Sequence, residues 1–204
     1  MQDSFYKGSI VLLEGVIAEM MARLNIIRKY KMVHNDRDPI SYIISRIKTE
    51  DSMKEKLRRK NLPVNLKTAL SQIYDAAGIR IICSYIDDVY AVVKMLKQFK
   101  DLKIVSEKDY IKHPKTNGYR SYHISFQVPL DIAGHIHPVY IEVQIRTIAM
   151  DFWASLEHEM QYKKNIKNQE LIEEELKRCA DEIATTDINM QTIRNMINGK
   201  EEKK

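Results

Sequence analysis

Residues that would signal a disulfide scaffold, a membrane segment or a low-complexity chain are scarce in this sequence. It has two cysteines, six glycines, five prolines and one tryptophan among 204 residues. Cys83 and Cys179 lie far apart and lack the spacing of metal ligands, which argues against a disulfide framework or a cysteine metal site. No apolar run is long enough to span a bilayer, and the polar start MQDSFYKGS does not resemble a signal peptide. We therefore expect a cytoplasmic protein with reduced thiols and no membrane contact.

The charge balance is cationic. Thirty-three lysines and arginines outnumber 28 aspartates and glutamates, which gives a formal net charge of +5 and a pI of about 9.0. A basic surface favours anionic partners such as nucleotides, RNA or acidic lipid, but it does not decide the fold. With 44% hydrophobic residues the chain can bury a sizeable core, and its length suits one domain over residues 1–204.

Steps of three and four between apolar residues predict several helices. The longest are expected at the two ends, over about residues 9–30 and 169–198, and shorter ones over 51–61, 66–74, 87–99 and 147–162. Another helix is predicted to open at Asp38-Pro39, with its apolar positions at Ile40, Ile43, Ile44 and Ile47. The last helix has an apolar seam formed by Leu176, Cys179, Ile183, Thr186, Met190, Ile193 and Ile197. Beyond it, the tail GKEEKK is expected to fray.

Strands are predicted over residues 79–83, 102–105, 119–128 and 139–146, from β-branched content and alternation. Residues 129–138, which contain Gly134 between two prolines, are expected to form a loop. Helices thus flank a few strands that are joined partly by hairpins. This order indicates one layered α/β or α+β domain.

The strand VYIEVQIR, residues 139–146, has one apolar and one polar face. The polar face carries Tyr140, Glu142, Gln144 and Arg146 at alternate positions. Taken alone, such a face is more often the solvated side of an antiparallel sheet. It can also line a concave site, where a strand holds side chains rigidly.

Residues 46–60, RIKTEDSMKEKLRRK, carry seven bases and three acids, a local charge of +4. If the helix starts early, Lys48, Ser52 and Lys56 stack on one face at the i, i+4 spacing. Two ammonium groups with a hydroxyl between them suit a polyphosphate. On this segment alone, a solvated charged helix is the favoured interpretation.

Two further places carry residues suited to nucleotide chemistry. Asp75 precedes Ala-Ala-Gly at a helix-to-strand junction, where a carboxylate can hold Mg²⁺. Arg80 is an isolated charge in an apolar strand, so it either pairs with a carboxylate or stacks on a base. The Asn117-Gly118 turn puts Tyr119 at the mouth of a strand, where it could stack on a base with Lys115 and His123 near phosphate or ribose oxygens.

Together, four motifs in this order resemble the synthetase domain of the RelA/SpoT enzymes, and over nearly the whole chain a small alarmone synthetase. They are R-x-K at 46–48, DAAGIRI at 75–81, KDYIKHPKTNGYRSYH at 108–123 and EVQIRTIAMDFWASLEHEMQYK at 142–163. The resemblance implies an α/β (α+β-like) fold with a mixed, mostly antiparallel central sheet of about five strands. Helices would flank that sheet, and the long ones would lie at both termini.

The resemblance also implies an activity and roles for individual residues. Such enzymes transfer pyrophosphate from ATP to the 3′-hydroxyl of GDP or GTP, which gives ppGpp or pppGpp and AMP. Asp75 and Glu142 would hold Mg²⁺, and Glu142 would bind that metal, take the hydroxyl proton, or do both. The substrate-binding residues implied are Arg46 and Arg80 for adenine, Lys48, Ser52 and Lys56 for the ATP phosphates, Tyr119 for guanine, and Lys115, Asn117, His123 and Gln144 for the rest of the acceptor.

Two differences from the bifunctional relatives bear on the activity. Those enzymes carry an upstream hydrolase domain with a His-Asp pair, and no histidine here is followed by aspartate, so we expect no hydrolysis. They also carry an Arg-x-Lys-Asp motif before Asp-Tyr-Ile that is linked to their acceptor preference. Here Ser106, Glu107, Lys108 and Asp109 stand in its place without the arginine, so GDP and GTP both stay open as acceptors.

Small alarmone synthetases usually form homotetramers through their terminal helices. The resemblance therefore predicts a tetramer, with helices 9–30 and 169–198 as the contact elements and an alarmone-binding site between subunits as a possible allosteric feature. Two alternatives stay open. One is a pyrophosphotransferase of the same fold that acts on adenine nucleotides or a tRNA 3′ end. The other is a basic RNA-binding protein that exposes Tyr119 and Tyr122 on a sheet face. The pair His135 and His137 is interpreted as a loop feature.

Overall fold

The structure is a computed structural model that describes residues 5–161 and 168–199. Its helices are α1 (Ile10–Val33), α2 (Glu50–Arg59), α3 (Leu66–Gln72), α4 (Ile86–Leu96), α5 (Ile148–Gln161) and α6 (Gln169–Ile197), and a short 3-10 helix (Lys7–Ser9) precedes α1. Its strands are β1 (Ile40–Ile47), β2 (Ala77–Cys83), β3 (Lys103–Asp109), β4 (Tyr122–Ile132) and β5 (His135–Thr147). Tyr162, the last residue of the helix predicted over 147–162, and residues 200–204 of the predicted frayed tail lie outside the described residues.

The five strands form one mixed sheet in the order β1-β2-β5-β4-β3. Only β2 and β5 run parallel within it, and the other three neighbouring pairs are antiparallel. Gln144 of β5 lies between Arg80 of β2 and His123 of β4 in the register. The predicted fold class, a mostly antiparallel sheet of five strands with long terminal helices, is confirmed.

One face of the sheet is apolar and packs against α1 and α4. From β5 it presents Val139, Ile141, Val143 and Ile145, which are buried in the same core as Leu13, Val16, Met20 and Leu24 of α1. Burial of one such side chain contributes about 1.5–3 kcal/mol, so this layer supplies much of the stability. The opposite face, with α2 and α5 beside it, carries the polar side chains.

The helix predicted from Asp38-Pro39 is wrong, because Ile40–Ile47 is the edge strand β1. Its isoleucines recur at spacings that fit a helix, but β-branched side chains favour a strand and β2 offers an antiparallel partner. Pro39 is tolerated just before an edge strand. The Asp38 carboxylate accepts the backbone N–H of Ile40 at 2.9 Å and so fixes the entry to the strand.

The loop predicted for residues 129–138 is also wrong. β4 continues to Ile132 and β5 begins at His135, so this segment is the end of a long hairpin. The turn is Ala133-Gly134, where both residues have positive φ values of 52° and 85°. Pro129 and Pro138, which suggested a loop, lie opposite each other in the ladder. His135 and His137 therefore lie in the first residues of β5.

The last helix packs against the rest of the chain through only part of the predicted seam. Leu176 and Ile183 contact the small cluster formed by Trp153, Ala154 and Ala180, as the pattern predicted. The remaining seam residues, Cys179, Thr186, Met190, Ile193 and Ile197, are exposed. In the part of the chain that the structure describes, no helix combines the length and the apolarity needed to cross a membrane.

Candidate active site

A cavity of about 890 Å³ lies on the polar face of the sheet, with α2 and α5 beside it. Its lining comes from all five strands, from α2, α3 and α5, and from the connections before β2 and β4. The predicted site residues that line it are Arg46, Lys56, Asp75, Arg80, Lys115, Asn117, Tyr119, His123, Glu142 and Gln144. Lys48 and Ser52 of the predicted set are not among its lining residues. The alternating polar face of β5 is therefore the floor of a concave site.

Three carboxylates line this cavity: Glu157 of α5 and the two predicted metal ligands, Asp75 just before β2 and Glu142 in the middle of β5. Oδ2 of Asp75 lies 2.6 Å from Nζ of Lys56 and 3.2 Å from Nζ of Lys48. Oδ1 of Asp75 is buried and has no hydrogen-bond partner among the described residues. A buried carboxylate oxygen without a donor is costly, and a divalent cation would satisfy it.

Glu142 is held as a carboxylate by its neighbours. Its Oε2 accepts a hydrogen bond from Gln144 at 2.6 Å, and its Oε1 lies 3.4 Å from Nδ1 of His123. Burial alone would raise the pKa of Glu142, but the hydrogen bond and charge of His123, with the bond from Gln144, outweigh it and lower the pKa to about 2. The side chain is therefore anionic at neutral pH, which suits a metal ligand.

The two lysines reach Asp75 from different elements. α2 begins at Glu50 after the Thr49 cap, so Lys48 lies outside the helix, in the β1–α2 connection. Ser52 lies in the first turn of α2, where its hydroxyl accepts a hydrogen bond from the Thr49 hydroxyl at 2.8 Å. Lys48, Ser52 and Lys56 therefore do not share one face of a helix. Lys48 and Lys56 nevertheless both contact the Asp75 carboxylate.

Arg46 and Arg80 point from the two neighbouring strands β1 and β2 into the same end of the cavity. Nη1 of Arg80 lies 3.1 Å from Oδ1 of Asp151 on α5. Burial lowers the pKa of Arg80, and the charge of Arg146 lowers it further, while Asp151 opposes the shift. Arg80 therefore pairs with a carboxylate, and because its side chain also lines the cavity, it could still stack on a base there.

A tight turn presents Tyr119 to the cavity. Lys115 and Tyr119 close the turn through a backbone hydrogen bond of 3.2 Å, and Gly118 within it has a φ of +88°. A Cβ at Gly118 would lie 2.6 Å from Cβ of Ala180 on α6, so only glycine fits this position. The Asn117 side chain accepts the Tyr119 N–H at 3.2 Å and fixes the turn from within.

Cations and a histidine surround the Tyr119 ring. Its hydroxyl lies 2.8 Å from Nε2 of His123 and accepts a hydrogen bond from Nη2 of Arg146 at 2.5 Å. The ammonium of Lys115 lies 4.6 Å from the ring centroid and the Arg146 guanidinium carbon lies 5.1 Å from it. A base that stacks on Tyr119 would have to displace one of these cations.

Several cavity residues were not in the predicted set. Arg59 and Lys60 at the end of α2, Lys108 of β3 and Arg146 of β5 all line the cavity. Each belongs to a segment with a recognisable pattern: the basic run 46–60, the start of the motif 108–123 or the polar face of β5. Their participation depends on how the strands meet, which no local pattern reveals.

The structure does not provide the exposed aromatic surface that the RNA-binding alternative requires. Tyr122 is buried at 6% exposure, in line with Ile124 and Phe126 on the apolar face of β4. Its hydroxyl donates to Glu107, and its ring packs edge-on against Tyr90. Tyr119 and Tyr122 therefore do not form a shared stacking surface of the kind that single-stranded RNA needs.

Comparison with known proteins matches the segment of the chain that contains the cavity residues. Residues 45–167 match the family model described as "Region found in RelA / SpoT proteins". The GTP pyrophosphokinase YwaC of Bacillus subtilis (strain 168) is 42% identical over 177 residues, which cover 86% of this chain and 84% of YwaC. The GTP pyrophosphokinase YjbM of the same organism is 35% identical over 198 residues, which cover 97% of this chain and 92% of YjbM.

A solved structure extends the similarity to the fold. Small alarmone synthetase 1 from Bacillus subtilis, in its complex with its product pppGpp, superposes with a TM-score of 0.86 at 34% sequence identity. The match covers 95% of this chain and 98% of that chain. The similarity therefore includes the terminal helices as well as the sheet and its cavity.

Proposed function

The chain belongs to the RelA/SpoT family of (p)ppGpp synthetases, and we propose that it transfers the pyrophosphoryl group of ATP to the 3′-hydroxyl of GDP or GTP, with AMP as the second product. The observation that carries this proposal is the cavity itself. It brings Asp75 and Glu142 together with a pair of arginines from β1 and β2 and an aromatic turn at the start of β4. Such an arrangement suits two nucleotides that meet at a pair of carboxylates.

ATP binds at the β1–β2 side in this proposal. The planar guanidinium groups of Arg46 and Arg80 enclose adenine, and Lys48, Ser52 and Lys56 hold the phosphates. Support comes from the convergence of both lysines on Asp75, which puts two ammonium groups beside the carboxylate pair. Phosphate oxygens can take over these ammonium groups when ATP enters.

The acceptor binds at the β4 side. Tyr119 stacks on guanine, while Lys115, Asn117, His123 and Gln144 fix the ribose and phosphates. The turn that holds Tyr119 is braced by Asn117, and Lys115 already lies over the ring, which supports a site for an anionic aromatic ligand. The 3′-hydroxyl would then face Glu142, whose carboxylate accepts a hydrogen bond from Gln144 two residues along β5 and lies 3.4 Å from Nδ1 of His123 on the neighbouring strand β4.

The donor set fits Mg²⁺. Among the described residues, no cluster of three or more His, Cys, Asp or Glu side chains could hold a metal alone. Mg²⁺ typically takes one or two carboxylates and completes its shell with substrate phosphates and water. Asp75, with its unpaired buried Oδ1, and the ionised Glu142 supply that pair. When bound there, the ion would neutralise charge on the transferred phosphoryl oxygens and acidify the acceptor hydroxyl.

The reaction needs alignment more than covalent help from the protein. The 3′-oxygen forms a bond to the β-phosphorus of ATP, the bond from that phosphorus to the bridging α–β oxygen breaks, and the electron pair leaves with AMP. The stacked bases set the line of attack, and the lysines stabilise the charge that develops on the phosphates. Glu142 would take the hydroxyl proton, hold the metal, or do both. Its low pKa makes Glu142 a weak base, so it can accept the proton only when the hydroxyl has become more acidic.

Thin-layer chromatography of products from labelled ATP tests the activity and the acceptor together. The protein is incubated with GDP, GTP, ADP or tRNA in parallel. We expect a labelled tetra- or pentaphosphate with GDP or GTP and none with ADP or tRNA. Label that appears only on ADP or tRNA would favour the alternative acceptors of the same fold.

We also propose a homotetramer formed through residues 9–30 and 169–198 of a single synthetase domain over 1–204. Exposed apolar side chains near the carboxyl ends of both long helices support this assembly. They are Ile26, Tyr30, Met32 and Val33 of α1 and Met190, Ile193, Met196 and Ile197 of α6. Exposed apolar patches of this kind commonly mark protein interfaces. An alarmone site between subunits stays a prediction, since no contact in the described residues tests it.

The free thiols of Cys83 and Cys179 suit a cytoplasmic enzyme.

A further inference from the structure

One carboxylate on α5 connects the two proposed base-binding regions. Oδ1 of Asp151 accepts a hydrogen bond from Nη1 of Arg146 at 3.0 Å and lies 3.1 Å from Nη1 of Arg80. Arg80 belongs to the proposed adenine site. Arg146 and Asp151 are buried, so water screens these contacts little.

Arg146 extends the connection to the acceptor side. Its other terminal nitrogen, Nη2, donates to the Tyr119 hydroxyl at 2.5 Å and to Oε1 of Gln144 at 2.8 Å. Its Nε donates to the buried Ser121 hydroxyl at 3.3 Å. Arg146 is thus fixed on three sides, and it fixes the ring on which guanine is proposed to stack.

Asp151 balances a crowded set of positive charges. Arg46, Arg80 and Arg146 are close enough that the charges of the other two lower the pKa of Arg80, after the larger effect of burial. In the described part of the chain, Asp151 is the carboxylate that contacts both Arg80 and Arg146. Without its charge, the buried Arg146 and the partly buried Arg80 would face each other and move apart, because their repulsion would be uncompensated.

We infer that Asp151 is a positioning residue that holds the adenine-binding Arg80 and the guanine-supporting Arg146 in fixed register, so that the binding of one nucleotide favours the other. The inference rests on the proposed function of the two ends of the cavity. The chain of contacts runs from Arg80 through Asp151 and Arg146 to Tyr119, without a gap. A nucleotide that orders either end orders the shared carboxylate as well, and the second nucleotide then meets a prearranged site.

The test compares Asp151→Asn with Asp187→Asn in the full chain. Asp187 is a matched control because it is also a buried carboxylate near α5, where it accepts a hydrogen bond from the Thr147 hydroxyl at 2.5 Å, but it contacts neither arginine. Isothermal titration calorimetry measures the Kd of AMPCPP, an ATP analogue that cannot release its pyrophosphoryl group, with and without saturating GDP. The reverse titration uses GDP with and without AMPCPP.

We expect each nucleotide to tighten the binding of the other about 10-fold in the wild-type protein. Asp151→Asn should abolish that effect, and Asp187→Asn should retain it. In steady-state assays Asp151→Asn should raise the KM of both substrates and lower kcat/KM about 100-fold, as expected for misaligned reactants. A loss of folded protein alone would lower kcat and leave KM unchanged.

Unchanged coupling in Asp151→Asn would overturn the inference, and so would wild-type protein in which the nucleotides bind independently. If Asp151→Asn does not fold, Asp151→Glu replaces it, because the extra methylene moves the carboxylate and should weaken the coupling. Coupling as strong as in the wild-type protein would then contradict the inference. Wild-type protein that makes labelled ppGpp but shows no coupling removes this inference alone. Wild-type protein that makes no guanosine product removes the proposed function.

Discussion

Nζ of Lys56 lies 2.6 Å from Oδ2 of Asp75, so a lysine assigned to the ATP phosphates neutralises a carboxylate assigned to the metal. Lys48 reaches the same oxygen at 3.2 Å. Phosphate oxygens can draw both lysines away from Oδ2 of Asp75, which increases the negative charge that the carboxylate offers to a divalent ion at its unpaired Oδ1. We therefore expect ATP and the metal to bind cooperatively, with weak metal binding in the absence of nucleotide.

Asp75→Asn should lower the activity about 100-fold or more, since an amide oxygen binds a divalent ion weakly and the two lysines lose their carboxylate. The Mg²⁺ concentration needed for half-maximal rate should also rise. Activity measured across a Mg²⁺ titration checks this. A variant whose titration curve matches the wild-type curve would remove Asp75 from the metal site.

Glu142→Gln should abolish synthesis while both nucleotides still bind. The amide keeps the size and much of the hydrogen bonding of the side chain, but it carries no negative charge and accepts no proton. Calorimetric binding of AMPCPP and GDP, run beside the product assay, separates the two effects. Turnover close to the wild-type rate would rule out Glu142 as base and as essential ligand.

The same carboxylate should make stability sensitive to acid. In the folded state the pKa of Glu142 is lowered from 4.5 to about 2, so its contribution to the free energy of unfolding is fully present above pH 4.5. It is lost as the pH falls from 4.5 through about 2, because only the unfolded chain takes up the proton easily in that range. Urea unfolding of wild type and Glu142→Gln at pH 6 and pH 3 measures this. The difference in stability between the two proteins should shrink at pH 3, and an equal difference at both values would contradict the shift.

Gly118→Ala should weaken acceptor binding selectively. The new Cβ would collide with Ala180 at 2.6 Å, and the turn that carries Tyr119 would have to shift. We expect a raised KM for GDP or GTP, with a much smaller change in the KM for ATP.

Gly134→Ala is the matched control for that substitution. Gly134 has a similar φ of +85°, but a Cβ there meets nothing within 4 Å. Both variants carry the backbone cost of about 1 kcal/mol for a residue other than glycine at positive φ, so only the collision differs. If both variants changed the acceptor KM equally, the position of Tyr119 would not depend on the contact with Ala180.

Ile193→Asp should reduce the size of the assembly in solution. Ile193 is 49% exposed on α6, beside the other exposed apolar residues that support the proposed tetramer. Light scattering after size-exclusion chromatography measures the mass. Ile136→Asp, at a hairpin position that is 68% exposed, should leave the mass unchanged. A wild-type protein of 24.0 kDa in solution would contradict the tetramer.

The sequence was most informative where a short segment determines its own structure. The alternation of β5 predicted both the buried face and the polar face with Glu142 and Gln144, because side chains on a strand must alternate. The left-handed conformation of Gly118 followed from the Asn-Gly pair. These features depend on neighbours in sequence and need no knowledge of the rest of the fold.

The sequence was misleading where contacts between residues far apart in the chain determine the local structure. Ile40 to Ile47 fit a helical spacing, and only the pairing with β2 makes this segment a strand. Pro129 and Pro138 looked like loop residues until the register put them opposite each other. The contacts of Asp151 with Arg80 and Arg146 join α5 to two strands, and nothing in the motif that contains Asp151 indicates them.

A crystal structure with GDP, AMPCPP and Mg²⁺ tests the central claim most directly. The account predicts adenine between Arg46 and Arg80, guanine on Tyr119, and the metal bound by Asp75 and Glu142 at about 2.1 Å. The acceptor 3′-oxygen should lie in line with the β-phosphorus at about 3–3.5 Å. A metal held away from either carboxylate, or a base seated outside its site, would contradict the account.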